Sequence, residues 1–237
     1  MQHLKFIKAS KSYDENAIIQ EYMAKKLLSI LTNENFNGIF EFGCGTGKFS
    51  KKIISKLKFK TLILNDINAY NLAFDDKRVE FKQFDMNFIE NEDVFLKKFD
   101  LITSNACMQW LDIKKLIYNL KEMLKDEAFL LLSSFTKDNL WQIKESTGFS
   151  LQYLSLNEIK KLFETDFEIL HLSDEELTIE FDCVLDIFRH LKLSGVNSLG
   201  KFFISKTFLK EYEKKFGTNL SYKPLFLLCK NKNLPRV

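Results

Sequence analysis

Residues 38–57 read GIFEFGCGTGKFSKKIISKL, and this stretch decides the fold. The apolar run Gly38–Phe42 predicts a buried strand, and Thr46–Leu57 has its apolar residues on one stripe of a predicted helix. Three of the chain's eight glycines lie between these elements, at Gly43, Gly45 and Gly47. Glycine permits a sharp backbone turn and lets a ligand approach the main chain, so this strand–loop–helix unit is typical of nucleotide or nucleoside binding.

Four interpretations of this loop stay open. A Walker phosphate loop, GxxxxGK[ST], is disfavoured because Gly47-Lys48 is followed by Phe49. A dinucleotide loop, GxGxxG, is disfavoured because the third glycine comes one residue early. The third interpretation is a site for the methyl donor S-adenosylmethionine, whose loop has the form [D/E]xGxGxG, which Glu41 and the three glycines match position for position. The fourth is a glycine turn that binds no ligand.

Outward from the loop, short apolar runs alternate with helical patterns. The predicted strands are Thr61–Leu64, Val79–Phe84, Phe99–Ser104 and Ala128–Phe135, and the predicted helices are 14–31 and Ile113–Leu124. Near-continuous apolar strands separated by helices predict an α/β fold, with a parallel sheet covered on both faces.

The last third of the chain has a different pattern. We predict helices at Leu156–Phe163, 183–193 and Lys206–Phe216, a hairpin of strands Phe167–Leu172 and Glu175–Phe181, and a final strand at Tyr222–Cys229. No linker rich in proline, glycine or serine divides the sequence, so we predict a single domain. Its predicted parts are an N-terminal helical segment (1–35), a core (36–181), a helical lid over the substrate (182–216) and a final strand with its tail (217–237).

Polar residues follow three of the predicted strands. Asp66 ends the second, Asp85 and Met86 end the third, and Asn105 follows the fourth. Ligands of parallel α/β sheets bind outside the carboxyl ends of the strands, so these side chains are candidate ligand contacts. A carboxylate at Asp66 can accept two hydrogen bonds from ribose hydroxyls, Asp85 can accept from an adenine amino group, and Met86 can pack on the ring.

Composition excludes several classes of protein. With 35 basic and 32 acidic residues the net charge is only +3, too balanced for a dedicated binder of nucleic acid. The longest apolar runs have five residues, against about 18 for a membrane helix, and the first residues do not resemble a signal peptide. We therefore expect a cytoplasmic protein that does not bind membranes. The four cysteines are far apart and form no Cys/His cluster, so we expect no metal site.

The motifs EFGCGTG, Asp66, Asp85 and FDLITSN resemble the class I S-adenosylmethionine-dependent methyltransferases over about residues 36–135. The resemblance implies a Rossmann-like, doubly wound, seven-stranded and mostly parallel sheet, with an N-terminal helix and a helical lid. It also implies S-adenosylmethionine as cofactor, with S-adenosylhomocysteine as product. The residues expected to bind the cofactor are Gln20, Glu41, Gly43, Gly45, Gly47, Asp66, Asp85, Met86 and Asn105.

A narrower resemblance, to malonyl-[acyl-carrier protein] O-methyltransferases, extends over nearly the whole chain. It rests on FIKASKSYDENAIIQ (6–20), SNACMQWL (104–111), SSFTKDNLWQI (133–143) and FRHLKLSGVN (188–197). The resemblance implies methylation of the free carboxylate of a malonyl thioester on acyl-carrier protein, or on coenzyme A, at the start of the pimelate branch of biotin synthesis. Met108 departs from the usual aliphatic residue, and Asp126-Glu127 departs from the frequent Pro-Gly turn.

This activity needs a group that orients the malonyl carboxylate, and a guanidinium suits it. Of the three arginines only Arg189 lies in the predicted lid, so we expect Arg189 to act as the clamp and Tyr13 to line the reacting methyl group. The residues expected to contact the substrate or its carrier are Gln109, Trp110, His190, Lys201 and Lys206. A second lysine cluster at 51–60 is an alternative dock for the acidic carrier protein.

Two other functions stay open at this point. One is methylation of a different small-molecule carboxylate or of a quinone precursor, because the strand motifs do not specify the substrate. The other is a regulatory module that binds S-adenosylmethionine without turnover. A nucleic-acid methyltransferase is disfavoured because SNAC (104–107) replaces a proline-containing [D/N]PP[Y/F] motif.

Overall fold

A computed structural model describes residues 17–70, 72, 74–194 and 203–232. Its helices, numbered here in chain order, are α1 (Ile18–Ser29), α2 (Lys48–Lys56), α3 (Ile113–Met123), α4 (Trp141–Thr147), α5 (Leu156–Phe163), α6 (Val184–Leu193) and α7 (Lys206–Phe216). The strands are β1 (Gly38–Phe42), β2 (Thr61–Asp66), β3 (Val79–Gln83), β4 (Phe99–Asn105), β5 (Leu124–Phe135), β6 (Phe167–Asp174), β7 (Leu177–Glu180), β8 (Asn219–Tyr222) and β9 (Pro224–Asn231). Short 3₁₀ helices span Met86–Asn91, Asp93–Leu96 and Met108–Trp110.

Seven strands form one sheet in the order β3-β2-β1-β4-β5-β9-β6. The first five are parallel to one another, and β9 runs antiparallel to both of its neighbours. The strand order reverses between β1 and β4, which places the carboxyl ends of these strands at the crevice where α/β sheets bind ligands. The predicted Rossmann-like, doubly wound sheet is confirmed.

Two apolar clusters cover the two faces of this sheet. Buried side chains of α1, α2, α6 and α7 form one cluster, and those of α3, α5 and the first two 3₁₀ helices form the other. The central strand β1 is buried along its whole length. Burial on both faces explains why β1 and β2 are largely apolar without regular alternation, whereas the edge strand β3 has alternating polar residues and is only partly buried.

Side-chain caps fix the starts of several helices. The Asp112 carboxylate accepts hydrogen bonds from the backbone N–H groups of Lys114 and Lys115 at the start of α3. Ser155 and Glu158 form a reciprocal capping box at the start of α5. These caps satisfy N–H groups that have no partner inside the helix.

The hairpin predicted for 167–181 is wrong. Strand β6 pairs with β9 in the main sheet, whereas β7 pairs with β8 in a separate two-stranded sheet. The predicted strand Tyr222–Cys229 is in fact two strands, because Tyr222 ends β8 and Pro224 begins β9. Helix α4 was not predicted. The topology of this region depends on pairing between strands that are far apart in the sequence, and the local sequence pattern does not predict such pairing.

Among the described residues, no helix is long and apolar enough to cross a membrane.

Candidate functional site

A cavity of about 300 Å³ opens at the carboxyl ends of the first strands. Its walls come from α1, from the glycine loop after β1, and from the segments that follow β2, β3 and β4. Eight of the residues predicted from sequence line it: Gln20, Gly43, Gly45, Asp66, Asp85, Met86, Asn105 and Trp110. Its size is at the lower end of the range for small-molecule sites.

The glycine loop has a backbone that other residues rarely adopt. Gly43 and Gly47 have φ values of +67° and +79°. A Cβ atom on Gly43 would lie 2.4 Å from the Cys107 sulfur, and one on Gly47 would lie 2.9 Å from the Phe74 ring. Both positions therefore require glycine for conformation and for space.

Asp66 joins this loop to the end of β2. One carboxylate oxygen accepts a hydrogen bond from the Gly45 N–H at 3.0 Å, and the other accepts from the Asn68 N–H at 2.9 Å. Burial raises the pKa of the Asp66 carboxyl above its ordinary value. Since a carboxylate oxygen can accept more than one hydrogen bond, Asp66 can still receive ligand hydroxyls on its cavity side.

Glu41 lies beneath the loop rather than in the cavity wall, and it is 1% exposed. Burial raises the pKa of its carboxyl to about 8; the Ser50 hydroxyl beside it opposes this shift, and the Asp66 charge adds to it. Its Oε2 atom has no hydrogen-bond partner among the described residues. A buried acceptor without a donor is costly, and it suits a site that a ligand N–H group or a bridging water completes.

Asn105 connects β4 to the N-terminal helix. Its amide nitrogen donates to the backbone oxygen of Gln20 at 3.0 Å, and the Ser133 hydroxyl donates to its amide oxygen at 2.6 Å. Gln20 is thereby held at the cavity mouth, where it lines the wall. Asp85 accepts from the Asn87 N–H at 2.9 Å and so begins the 3₁₀ helix that contains Met86.

The lining residues that the sequence prediction missed include three with polar side chains, Asn68, Tyr70 and Cys107. Asn68 is 4% exposed, and its amide oxygen has no hydrogen-bond partner among the described residues. The sequence did offer a signal for Asn68: it lies two residues after Asp66, and this spacing is typical of a turn. Burial raises the pKa of the Cys107 thiol to about 12, so this thiol is protonated at neutral pH.

Of the described residues predicted to contact the substrate, Trp110 alone lines this cavity. Arg189 is exposed on α6 and forms an ion pair with Asp186 at 2.7 Å. His190 is buried, and its Nε2 atom lies 2.9 Å from the Tyr222 hydroxyl. Burial lowers the pKa of His190, so its imidazole is neutral at pH 7.

Gln109 and Lys206 also lie outside the cavity wall, whereas Trp110 is part of it. Lys206 is exposed at the first turn of α7. Tyr13 and Lys201 lie outside the described residues. Within the described ranges, no group of three or more His, Cys, Asp or Glu residues could hold a metal ion.

Comparison with known proteins identifies the family. A methyltransferase domain family matches residues 13–172. The chain is 33% identical to malonyl-[acyl-carrier protein] O-methyltransferase from Calditerrivibrio nitroreducens, over 97% of this chain and 96% of the relative. It belongs to the malonyl-[acyl-carrier protein] O-methyltransferase family. A second member, malonyl-[acyl-carrier protein] O-methyltransferase 2 from Ilyobacter polytropus, is 35% identical over 81% of this chain and 79% of the relative.

Solved structures show the same fold as this member of the family. The YcgJ protein from Bacillus subtilis has a TM-score of 0.63 at 15% identity, and covers 90% of this chain and 99% of its own. The N-methyltransferase NodS from Bradyrhizobium japonicum, solved with S-adenosyl-L-homocysteine, has a TM-score of 0.51 at 12% identity, over 90% of this chain and 86% of its own. These likenesses establish the methyltransferase fold.

Proposed function

We propose that this chain transfers a methyl group from S-adenosylmethionine to the free carboxylate of malonyl-[acyl-carrier protein], giving the malonyl methyl ester that primes pimeloyl and biotin synthesis. One observation carries the proposal: the glycine loop, Asp66 and Asp85 converge on one cavity, in a chain that matches relatives of this name over almost its entire length. The proposed reaction is cytoplasmic.

The described residues fit the methyl donor. Asp66 would accept hydrogen bonds from the ribose hydroxyls, Asp85 from the adenine amino group, and Met86 would pack on the ring. Gln20, held by Asn105, would contact the methionine end. Glu41 would contribute from beneath the loop as a neutral carboxyl at pH 7, since burial raises its pKa to about 8.

When bound, S-adenosylmethionine would supply an electrophilic methyl group, to which the carboxylate oxygen would bond in line as the carbon–sulfur bond breaks and S-adenosylhomocysteine leaves. A malonyl carboxylate is ionised at pH 7, so the chain needs no general base to create the nucleophile. The protein's contribution is then to position the carboxylate and to exclude water from it. Trp110, in the cavity wall, would shield the acyl group.

We assign the orientation of the carboxylate to Arg189. Its present partner, Asp186, is a carboxylate on the same helix, three residues earlier. An exposed ion pair of this kind contributes little to stability, so the guanidinium can exchange Asp186 for the malonyl carboxylate at little cost. Tyr13 is proposed to complete the site, and Lys201 and Lys206 to contact the acidic carrier protein or the phosphates of malonyl-coenzyme A.

The test is to incubate the protein with methyl-labelled S-adenosylmethionine and malonyl-[acyl-carrier protein], and to look for a methyl ester by mass spectrometry. With Arg189→Ala the rate should fall by about tenfold or more, because one charge-assisted contact exceeds the 1.4 kcal/mol of a tenfold change. Arg78→Ala is the matched control, since Arg78 forms an equivalent ion pair with Asp76 away from the cavity.

The outcomes separate the parts of this proposal. Ester formation that Arg189→Ala leaves unchanged would retain the reaction and reject the clamp. No ester, with donor binding intact, would assign the chain to methylation of another carboxylate or a quinone precursor, or to donor binding without turnover.

A further inference from the structure

The side-chain amide of Gln109 is held at both ends by the protein. Its nitrogen donates a hydrogen bond to the backbone oxygen of Ala106 at 2.7 Å. Its oxygen accepts a hydrogen bond from the Ser134 hydroxyl at 2.9 Å. Gln109 does not line the cavity, but Ala106 does. The amide therefore connects the end of β5 to the cavity wall.

Ala106 has an unusual backbone conformation. Its φ is +56°, in the left-handed region that residues with a Cβ atom rarely adopt. Its N–H donates to the backbone oxygen of Ser133 at 3.1 Å and lies 3.2 Å from the Ser133 hydroxyl. With the Gln109 contact, both polar backbone groups of Ala106 are held. A conformation of this kind persists where its surroundings determine it.

This turn sets the position of the glycine loop. Directly after Ala106 the chain reverses, and the Cys107 side chain lies against Gly43, where its sulfur would be 2.4 Å from an added Cβ atom. Nothing larger than a hydrogen atom fits between them. A shift of the Ala106 turn would therefore move the Cys107 side chain either into or away from the loop that is proposed to receive the methyl donor.

We propose that Gln109 is a positioning residue, which holds Ala106 in the left-handed turn that shapes the S-adenosylmethionine cavity. This replaces the expected contact between Gln109 and the substrate. The inference rests on the proposed donor site, but it does not depend on the identity of the methyl acceptor.

The test measures the Kd of S-adenosylhomocysteine by calorimetry, which needs no methyl acceptor. Gln109→Ala should raise this Kd by about tenfold, since two hydrogen bonds of ordinary strength are removed. Adding Ala106→Gly should restore most of the affinity, because glycine adopts the left-handed conformation without help. The Kd of Ala106→Gly alone is the reference against which the Kd of the double variant is compared.

Gln142 provides the matched control. It is also a buried glutamine held at both ends, by the Ser221 hydroxyl at 2.9 Å and the Ser221 N–H at 3.1 Å, and it is not part of the cavity wall. Gln142→Ala should lower the Tm without changing the Kd, and Ala106→Gly should not restore that Tm. A glutamine with a merely structural role would behave in this way.

Three results would overturn the inference. One is a Kd unchanged by Gln109→Ala. Another is a raised Kd that Ala106→Gly does not restore. The third is a rise in the KM for the malonyl substrate alone, which would return Gln109 to the substrate site. If Gln109→Ala does not fold, Ser134→Ala removes one of the two contacts and takes the same rescue test. Wild-type protein that does not bind S-adenosylhomocysteine would reject the proposed function itself.

Discussion

Two regions of the molecule differ in where the structure places the residues predicted from sequence. The first region is the cavity at the carboxyl ends of β1–β4, and the second comprises the helices α6 and α7. In the first region, eight predicted residues line one cavity. In the second, Arg189 pairs with Asp186 on an exposed face, His190 is buried against Tyr222, and Lys206 is exposed on another helix. The difference teaches that a motif held by backbone geometry is assembled in one cavity, whereas the predicted substrate residues of α6 and α7 lie outside the wall of that cavity in this structure.

The largest expected effect tests whether backbone geometry determines ligand binding in the first region, the cavity. Gly43→Ala should weaken S-adenosylhomocysteine binding by about 100-fold, because the new Cβ atom would collide with the Cys107 side chain and the φ is positive. Gly45→Ala is the control, since Gly45 has a φ of +54° and no atom within 4 Å of an added Cβ. Calorimetry measures both Kd values.

If both variants weaken binding equally, backbone strain rather than the contact with Cys107 explains the loss. If the contact explains it, Cys107→Gly should restore part of the affinity of Gly43→Ala, because both Cys107 atoms within 2.5 Å are then absent.

The next effect tests whether His190, a buried polar residue of the second region, stabilises the fold rather than binding substrate. His190→Ala should lower the free energy of unfolding by about 2–3 kcal/mol, since it removes a buried ring and the hydrogen bond between that ring and the Tyr222 hydroxyl. Urea denaturation measures the change, and Tyr222→Phe should have a smaller effect. A tenfold loss of kcat/KM at an unchanged unfolding free energy would instead place His190 in the substrate site, and would break the comparison.

A smaller effect concerns pH and Glu41. Because its pKa is about 8 in the folded protein, against 4.5 when exposed, the folded state binds more protons between these values. Stability from this group is complete below about pH 4.5 and is lost as the pH rises towards 8. Between pH 6.5 and 8 the Tm of Glu41→Gln should therefore fall less than the Tm of the wild type. Each kcal/mol of unfolding free energy that the variant retains corresponds to about 2–4 °C in Tm.

Differential scanning fluorimetry at several pH values measures the difference. Asp66, with a raised pKa, acts in the same direction, and His190, with a lowered pKa, acts in the opposite direction below pH 6.5. Both remain in the variant, so the difference between the two curves reports Glu41. Parallel curves would mean that Glu41 does not change its protonation state in the folded protein in this pH range.

The smallest effect sharpens the assignment of the carrier surface. Lys206→Glu should lower kcat/KM for malonyl-[acyl-carrier protein] by about twofold to fivefold at low salt, with less effect at high salt, as expected for an exposed charge at an interface rim. Lys160→Glu, on the exposed surface of α5, is the matched charge reversal. Equal losses from both variants would show a general charge effect and no dock on α7.

The sequence was sufficient to predict those elements that have a distinct local sequence pattern. Strand β1, its glycine loop and helix α2 were predicted almost to the residue, because burial on both faces and three glycines within five positions leave a distinct pattern. The positions of Asp66, Asp85 and Asn105 followed from the rule that parallel strands present their ends at one edge. That rule requires only the strand boundaries.

The remaining errors have a different cause. Strand β7 pairs with β8 rather than with its neighbour β6, and only the folded arrangement decides between these partners. The contact between Gln109 and substrate, expected from the narrower resemblance, stays a prediction; in the structure, Ala106 and Ser134 bond to the two ends of the Gln109 amide. Nothing in a single sequence reports that a polar side chain is already satisfied.

The position of β9 between β5 and β6 has a consequence for how the chain folds during synthesis. Strand β6 has β9 as its only neighbour in the described sheet, yet β9 is made more than 50 residues later. Until the ribosome releases Pro224–Asn231, β5 presents an open edge and β6 has nothing to pair with. The nascent protein is therefore exposed to aggregation until β9 is made. Pairing of β9 then covers the edge of β5 and gives β6 its partner.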